Sequence, residues 1–314
     1  MRLAKLAVLA MVLSATQLLA DVSYLMSFRL EPGAGLPPGV AESMAGSMPK
    51  MPAVQTRIKG QRSVGQVGAI QVIADNAKKE VTLLDPASQT FATATMAEYI
   101  AALPKPDGKM QPEVEKMLSS IEITSRKTDR TDVIEGIKVG EREFNLTMKL
   151  PLPPIPTPEG RPPAPKSLEM KMAVHVWTAL PSELERFAAL REIDALYANP
   201  DVKVTGRDFI QQLGQMLPGG GESMTKLFDE LVKERAYPLR TQMEMSMPGM
   251  AEMMEQLGQP AGSAAPPGLQ GPLMTMTMEL TNFSTEAIDN AVFQVPKDYK
   301  PAPFADLVKK LNFK

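Results

Sequence analysis

Methionine is the residue type whose spacing in this chain invites a chemical reading: 23 of the 314 residues are Met, and many of them recur at every second position. Met170 and Met172, then Met243, Met245 and Met247, then Met274, Met276 and Met278 each keep period two, and Met26 stands between Tyr24 and Phe28 in the same register. Alternate side chains of an extended chain share a face, so each group presents its thioethers on one side of its strand. If the four strands share a sheet, the result is a methionine-lined surface, and three readings of it stay open. It can be an ordinary core in which methionine fills irregular gaps. It can be a plastic apolar cavity for a lipid or acyl chain, lined by Tyr24, Met26, Phe28, Met170, Met172, Val174, Val176, Met243, Met245, Met274, Met276 and Met278. Or it can take copper(I), a soft ion suited to thioethers, through Met243, Met245, Met247, Met250 and Met253.

Other chemistry is poorly supplied. The chain has no cysteine, which excludes disulfides, thiolate nucleophiles and Cys-based zinc sites. Its single histidine, His175, alternates with Met170 and Met172 and therefore points away from them, as does its single tryptophan, Trp177. Both are expected to be architectural. There is no Gly-x-Ser-x-Gly elbow, Walker A loop or His-Glu-x-x-His helix, and any Ser-His-Asp triad would have to use His175. Asp75, Asp85 and Asp132 fall at turns, where carboxylates cap backbone N–H groups. The expectation is a protein without enzymatic activity or cofactor.

Residues 1–20 read as a secretory signal peptide. Arg2 and Lys5 precede the apolar run Leu6 to Leu13, a polar break follows at Ser14 to Gln17, and Ala20 precedes Asp21. Loss of Arg2 and Lys5 with that leader takes the formal charge from −2 to −4, which argues against a nucleic-acid partner. No later apolar run approaches the ~18 residues of a membrane-spanning helix, so a secreted or periplasmic product is expected, not an integral membrane protein.

The elements that must position the methionines follow from pattern. Val22 to Leu30 alternates as a strand, and residues 31–53 read as a flexible insertion with a helical turn near Ala41 to Met48. Strands are predicted at Gln55 to Val64, Ala69 to Ala74, Glu80 to Leu84 and Gln89 to Thr95, then helices at Met96 to Leu103 and Pro112 to Ser119. Strands return at Ile121 to Lys127, Asp132 to Val139 and Glu141 to Leu150. A proline-dense insertion, residues 151–166, leads to a strand over Met170 to Trp177. That strand runs into a helix behind a Ser182/Glu185 capping box, with Leu184, Phe187, Leu190, Ile193 and Tyr197 at helical spacing. Helices are predicted at Thr205 to Leu217 and Ser223 to Arg235. Strands at Tyr237 to Met247 and Pro272 to Phe283 flank a flexible insertion over 248–271. A short strand at Ala291 to Pro296 and a helical turn at Phe304 to Leu311 close the chain. Runs of strands interrupted by blocks of helix argue for an α+β plan in one domain, residues 21–314.

Three segments also resemble a known group. TRIKGQR (Thr56 to Arg62) with VIAD and VTLLDPASQTF (Val72 to Phe91), VWTALPSELERF (Val176 to Phe187) and NAVFQVPKDYKP (Asn290 to Pro301) are similar to uncharacterised secreted bacterial proteins related to the periplasmic lipoprotein-carrier superfamily. The resemblance implies a curved, incomplete antiparallel β-barrel of about 10 to 12 strands with helices packed on its concave side, where the carriers hold acyl chains. The leading expectation is therefore a protein that binds a lipid or lipidated protein in a Met-lined cavity. Copper(I) binding and a ligand-free interaction module, contacting a partner through the Pro-rich and Met-rich loops, are the alternatives.

Overall fold

The computed structural model describes residues 21–36, 38–48, 53–102, 122–151, 167–198, 238–249 and 271–311. Twelve strands join one sheet: β1 Val22–Pro32, β2 Val54–Lys59, β3 Arg62–Val67, β4 Ile70–Asp75, β5 Glu80–Asp85, β6 Thr90–Thr95, β7 Glu122–Ile134, β8 Ile137–Pro151, β9 Ser167–Ala179, β10 Pro238–Ser246, β11 Met274–Ser284 and β12 Lys300–Pro301. Their order is β12-β6-β5-β4-β3-β2-β1-β11-β10-β9-β8-β7, and the sheet is open, not closed into a barrel. Two antiparallel meanders, β1 to β6 and β7 to β11, meet where β11 returns to pair with β1. The first strand in sequence thus lies mid-sheet. Among the described strands β12, alongside β6, is the one that pairs in parallel.

The hairpins follow from turn chemistry. Glu135 and Gly136 both have positive φ, 50° and 80°, the requirement of the two-residue turn that matches strand twist, and they join β7 to β8. Gly60, at φ 58°, turns β2 into β3. Asp85 organises the β5–β6 turn by accepting from the backbone N–H of Ala87 and Ser88 and from the Ser88 hydroxyl. Just past the end of β1, Gly33 passes so close to the residues leading into β11 that a Cβ there would lie 1.9 Å from the Pro272 carbonyl oxygen. Gly33 N–H donates to Leu273 O and Gly35 N–H to Pro272 O, which pins the chain end beside Met274.

Among the described residues five helices accompany the sheet: α1 Pro38–Ser47, α2 Met96–Ala102, α3 Pro181–Arg186, α4 Ala188–Ala198 and α5 Phe304–Leu311. Helix α2 starts with a capping box, in which Thr95 and Glu98 bond each other's backbone N–H reciprocally. Helices α2 and α5 cover Ile70, Val81, Leu83 and Ala92 through Tyr99, Phe304, Leu307 and Val308. Ala189 and Ile193 of α4 pack with Val22, Tyr24, Ile58 and Leu280, while Leu190 joins Ile134, Ile137, Val139 and Leu239. Helices α3 and α4 therefore tie both meanders together at one set of strand ends. On the opposite face of β3 to β6, Phe293 and the segment around it pack on Val64, Ile73 and Leu84.

Several expectations are corrected. The single strand over Gln55 to Val64 is two strands broken at Gly60, because positive φ there reverses the chain. The strand placed over Asp132 to Val139 spans the Glu135-Gly136 turn, so three predicted strands become the long hairpin β7–β8, with a register shift between Lys127 and Thr131. Within residues 31–53 the helical turn expected near Ala41 to Met48 is present as the longer helix α1, Pro38–Ser47, and β1 runs on through Pro32, two residues past the expected strand end. Leu180, not a capping serine, precedes α3 and makes no side-chain cap bond. Pro181 occupies the first turn, and the extended backbone of Phe187 separates α3 from α4. The strand at Ala291 to Pro296 is a short 3-10 turn, Asn290–Phe293, capped by Asp289 accepting from Ala291 N–H. The predicted leader, the helices at 112–119, 205–217 and 223–235, and nearly all of the Pro-rich and Met-rich insertions lie outside the described residues.

Asp85 yields a prediction about α5. Its carboxylate, 3% exposed, accepts from Lys310 of that helix at 2.5 Å. The Lys310 ammonium, and then the Ser88 hydroxyl, lower its pKa from 3.8 to about 2. A depressed carboxylate contributes stability that is present above its unfolded pKa and is lost as pH falls through the folded one. Asp85→Asn is expected to cost about 2 kcal/mol at pH 7, and the gap to wild type to narrow between pH 4 and pH 2, measured by guanidinium unfolding at each pH.

Candidate functional site

Strand register decides which side chains share a face, because directly paired residues point the same way. Across β8, β9, β10, β11 and β1 one row reads Leu146, Met172, Met245, Met274, Pro32, and the next reads Phe144, Val174, Met243, Met276, Leu30. A third row is Arg142, Val176, Thr241, Met278, Phe28, and Met148 pairs Met170 beyond the first. Met26 pairs Leu280 on the same side, and Tyr24 lies two residues further along β1. All twelve residues expected to line a cavity thus lie on one face of four adjacent strands, β9, β10, β11 and β1. Of the expected copper ligands, Met243 and Met245 are in this array, Met247 follows the end of β10, and Met250 and Met253 lie outside the described residues.

The burial of that face is graded. Phe144, Val174 and Val176 are buried and form a cluster with Leu146, against which Met172 and Met243 pack. Tyr24 is buried with α4. Met26, Phe28, Met170, Met172, Met243, Met245, Met274, Met276 and Met278 are half-buried. The surface is therefore a floor of branched and aromatic side chains carrying a partly accessible layer of thioethers. Arg142 stands on the same face, with its guanidinium carbon 5.6 Å from the centre of the Phe144 ring.

The reverse of these strands is ionic, and reading by residue type missed it. There the rows read Glu141, Trp177, Arg240, Glu279 and Glu143, His175, Gln242, Thr277. The Glu141 side chain is fully buried and receives Thr128 Oγ1 at 2.6 Å and Arg130 Nη1 at 3.2 Å, with His175 Nδ1 2.8 Å away. Glu143 accepts from Arg126 at 2.9 Å and from Asn145 at 2.6 Å, and the Arg126 guanidinium, then the Asn145 amide, hold its carboxyl below the usual glutamate range. Arg240 bridges Glu279 and Asp132, which lowers the Asp132 pKa in turn. His175 and Trp177 do lie on the face away from Met170 and Met172. The available signal was the period-two alternation of Glu141, Glu143 and Asn145 with Arg142, Phe144 and Leu146, but the cations that pair with the two glutamates come from other strands.

Among the described residues no group of three His, Asp or Glu side chains is arranged to hold a metal ion, and no helix is long and apolar enough to cross a membrane. Neither a protein-family model nor a curated protein matches the chain.

Proposed function

We propose that this protein is a secreted or periplasmic, non-enzymatic binder of a hydrophobic ligand, a lipid or acyl chain, held on the methionine face. The observation that supports it is the register: six strand methionines of β9, β10 and β11 — Met172, Met243, Met245, Met274, Met276 and Met278 — fall on one side, half-buried over an aromatic and branched floor. Thioether side chains are unbranched and polarisable, so such a surface remoulds around chains of different length. In this reading the open sheet curves around that face as an incomplete barrel, and the helices border the bound chain. The resemblance to periplasmic lipoprotein carriers implies the same class of ligand.

Displacement of a fluorescent fatty acid tests the reading, together with native mass spectrometry of protein purified from its own envelope. Wild type is expected to bind the probe and to carry lipid. Met276→Leu keeps volume and apolarity and should hold affinity within about twofold. Met276→Glu places a carboxylate on the face and should weaken it at least ~tenfold, or ~1.4 kcal/mol. Absence of both probe binding and co-purified lipid in wild type overturns the proposal.

A further inference from the structure

The same register brings thioethers together across strands in a way that no single stretch of sequence displays. Met245 on β10 has Met172 directly opposite on β9 and Met274 directly opposite on β11. Two residues along the strand, Met243 pairs Met276. Directly paired residues in antiparallel strands have Cα atoms about 4.5–5.5 Å apart, and positions two apart along a strand are separated by about 6.8 Å. Five unbranched side chains, each with three rotatable bonds, thus stand in a block two to three strands wide on one face. All five are half-buried, so a small ion reaches them while much of its water is excluded. The flank at Met172 and Met243 is the apolar cluster of Phe144, Leu146, Val174 and Val176.

We infer that this block is a binding site for a soft monovalent cation, copper(I), with Met172, Met245 and Met274 as ligands and Met243 and Met276 able to exchange in. Thioethers are soft, uncharged donors that select copper(I) over harder ions. A neutral ligand set needs no deprotonation, so the ion binds without displacing a proton. Three donors drawn from three strands fit an ion that accepts low coordination numbers. The inference stands on the pairing of the strands, not on the lipid reading. Of the described methionines in the run that begins at Met243, Met243 and Met245 lie in the block, whereas Met247 follows the end of β10.

The test is anaerobic titration of the full chain with copper(I) against bicinchoninate as competing chelator, with silver(I) as a redox-inert probe. Wild type is expected to take one equivalent, and the M172L/M245L/M274L variant to lose at least ~tenfold in affinity, ~1.4 kcal/mol. Leucine conserves volume and apolarity, so the triple variant should unfold cooperatively, with a midpoint close to that of wild type. Fatty-acid binding is read on wild type in a separate experiment, so failure of the cation site and failure of the lipid reading are scored independently. M247L should bind as wild type does. A wild type that cannot compete with the chelator, or a triple variant with unchanged affinity, overturns the inference, the latter placing the ion elsewhere in the chain.

Discussion

Truncating Phe144 to alanine is expected to lower the free energy of unfolding by about 4 kcal/mol, the middle of the range for deleting a fully buried aromatic ring. Phe144 is 1% exposed and sits among Leu146, Val174 and Val176, with Val174 directly opposite it on β9. Two terms add: lost transfer of the ring from water, and a cavity that flanking strands, held by their ladders, cannot collapse into. Met172 and Met243 rest against this cluster, so fatty-acid affinity should fall along with stability. Urea unfolding followed by far-ultraviolet circular dichroism measures the first effect, and probe displacement the second. Met243→Leu, a volume-conserving change on the layer above, should cost less than about 1.5 kcal/mol. If the two variants are equally stable, the floor-and-layer description is wrong.

Glu141→Ala is expected to cost about 3 kcal/mol, the low end for breaking a buried charged network by removing one partner. The low end is appropriate because Arg130, 63% exposed, re-enters water when its partner is deleted, whereas His175, at 12%, cannot do so fully. Thr128 on the edge strand β7 also loses its carboxylate acceptor and keeps the longer bond to the Glu141 backbone carbonyl. The surface pair Lys309–Asp306, with 73% and 57% exposure, should give within ~0.5 kcal/mol when cut, since solvent screens it and side-chain entropy opposes it. A double-mutant cycle with His175→Ala should return a coupling of about 1–2 kcal/mol. Additive single effects would show that Glu141 and His175 act independently, contrary to their 2.8 Å contact.

Both predictions concern the same strands seen from opposite sides, and the two sides differ in how readable they were. The methionine face was legible because period two is local: Met243, Met245 and Met247, or Met274, Met276 and Met278, reveal a shared direction within a few residues. The element plan was legible for the same reason, down to α5 at Phe304–Leu311. Errors arose where a turn had weak local chemistry. Gly60 alone punctuates the first hairpin, and Glu135-Gly136 lacks the Asn or Asp that usually marks such a turn. The capping serine failed because Pro181, already suited to a first helical turn, left Ser182 inside the helix.

The sequence by itself determined the direction of each strand's side chains, the absence of cysteine chemistry and the softness of the donors on offer. Tertiary structure alone decided which strands adjoin. That β11 returns to β1, so that Met274, Met276 and Met278 stand beside Leu30 and Phe28 as well as Met243 and Met245, depends on pairing residues roughly 250 positions apart. The ionic face depends on it too, since Arg126 and Glu143, or Arg240 and Asp132, meet only when register sets them side by side. Periodicity is a property of adjacent backbone geometry, whereas register is set by the packing of whole faces and by turn geometry across the sheet.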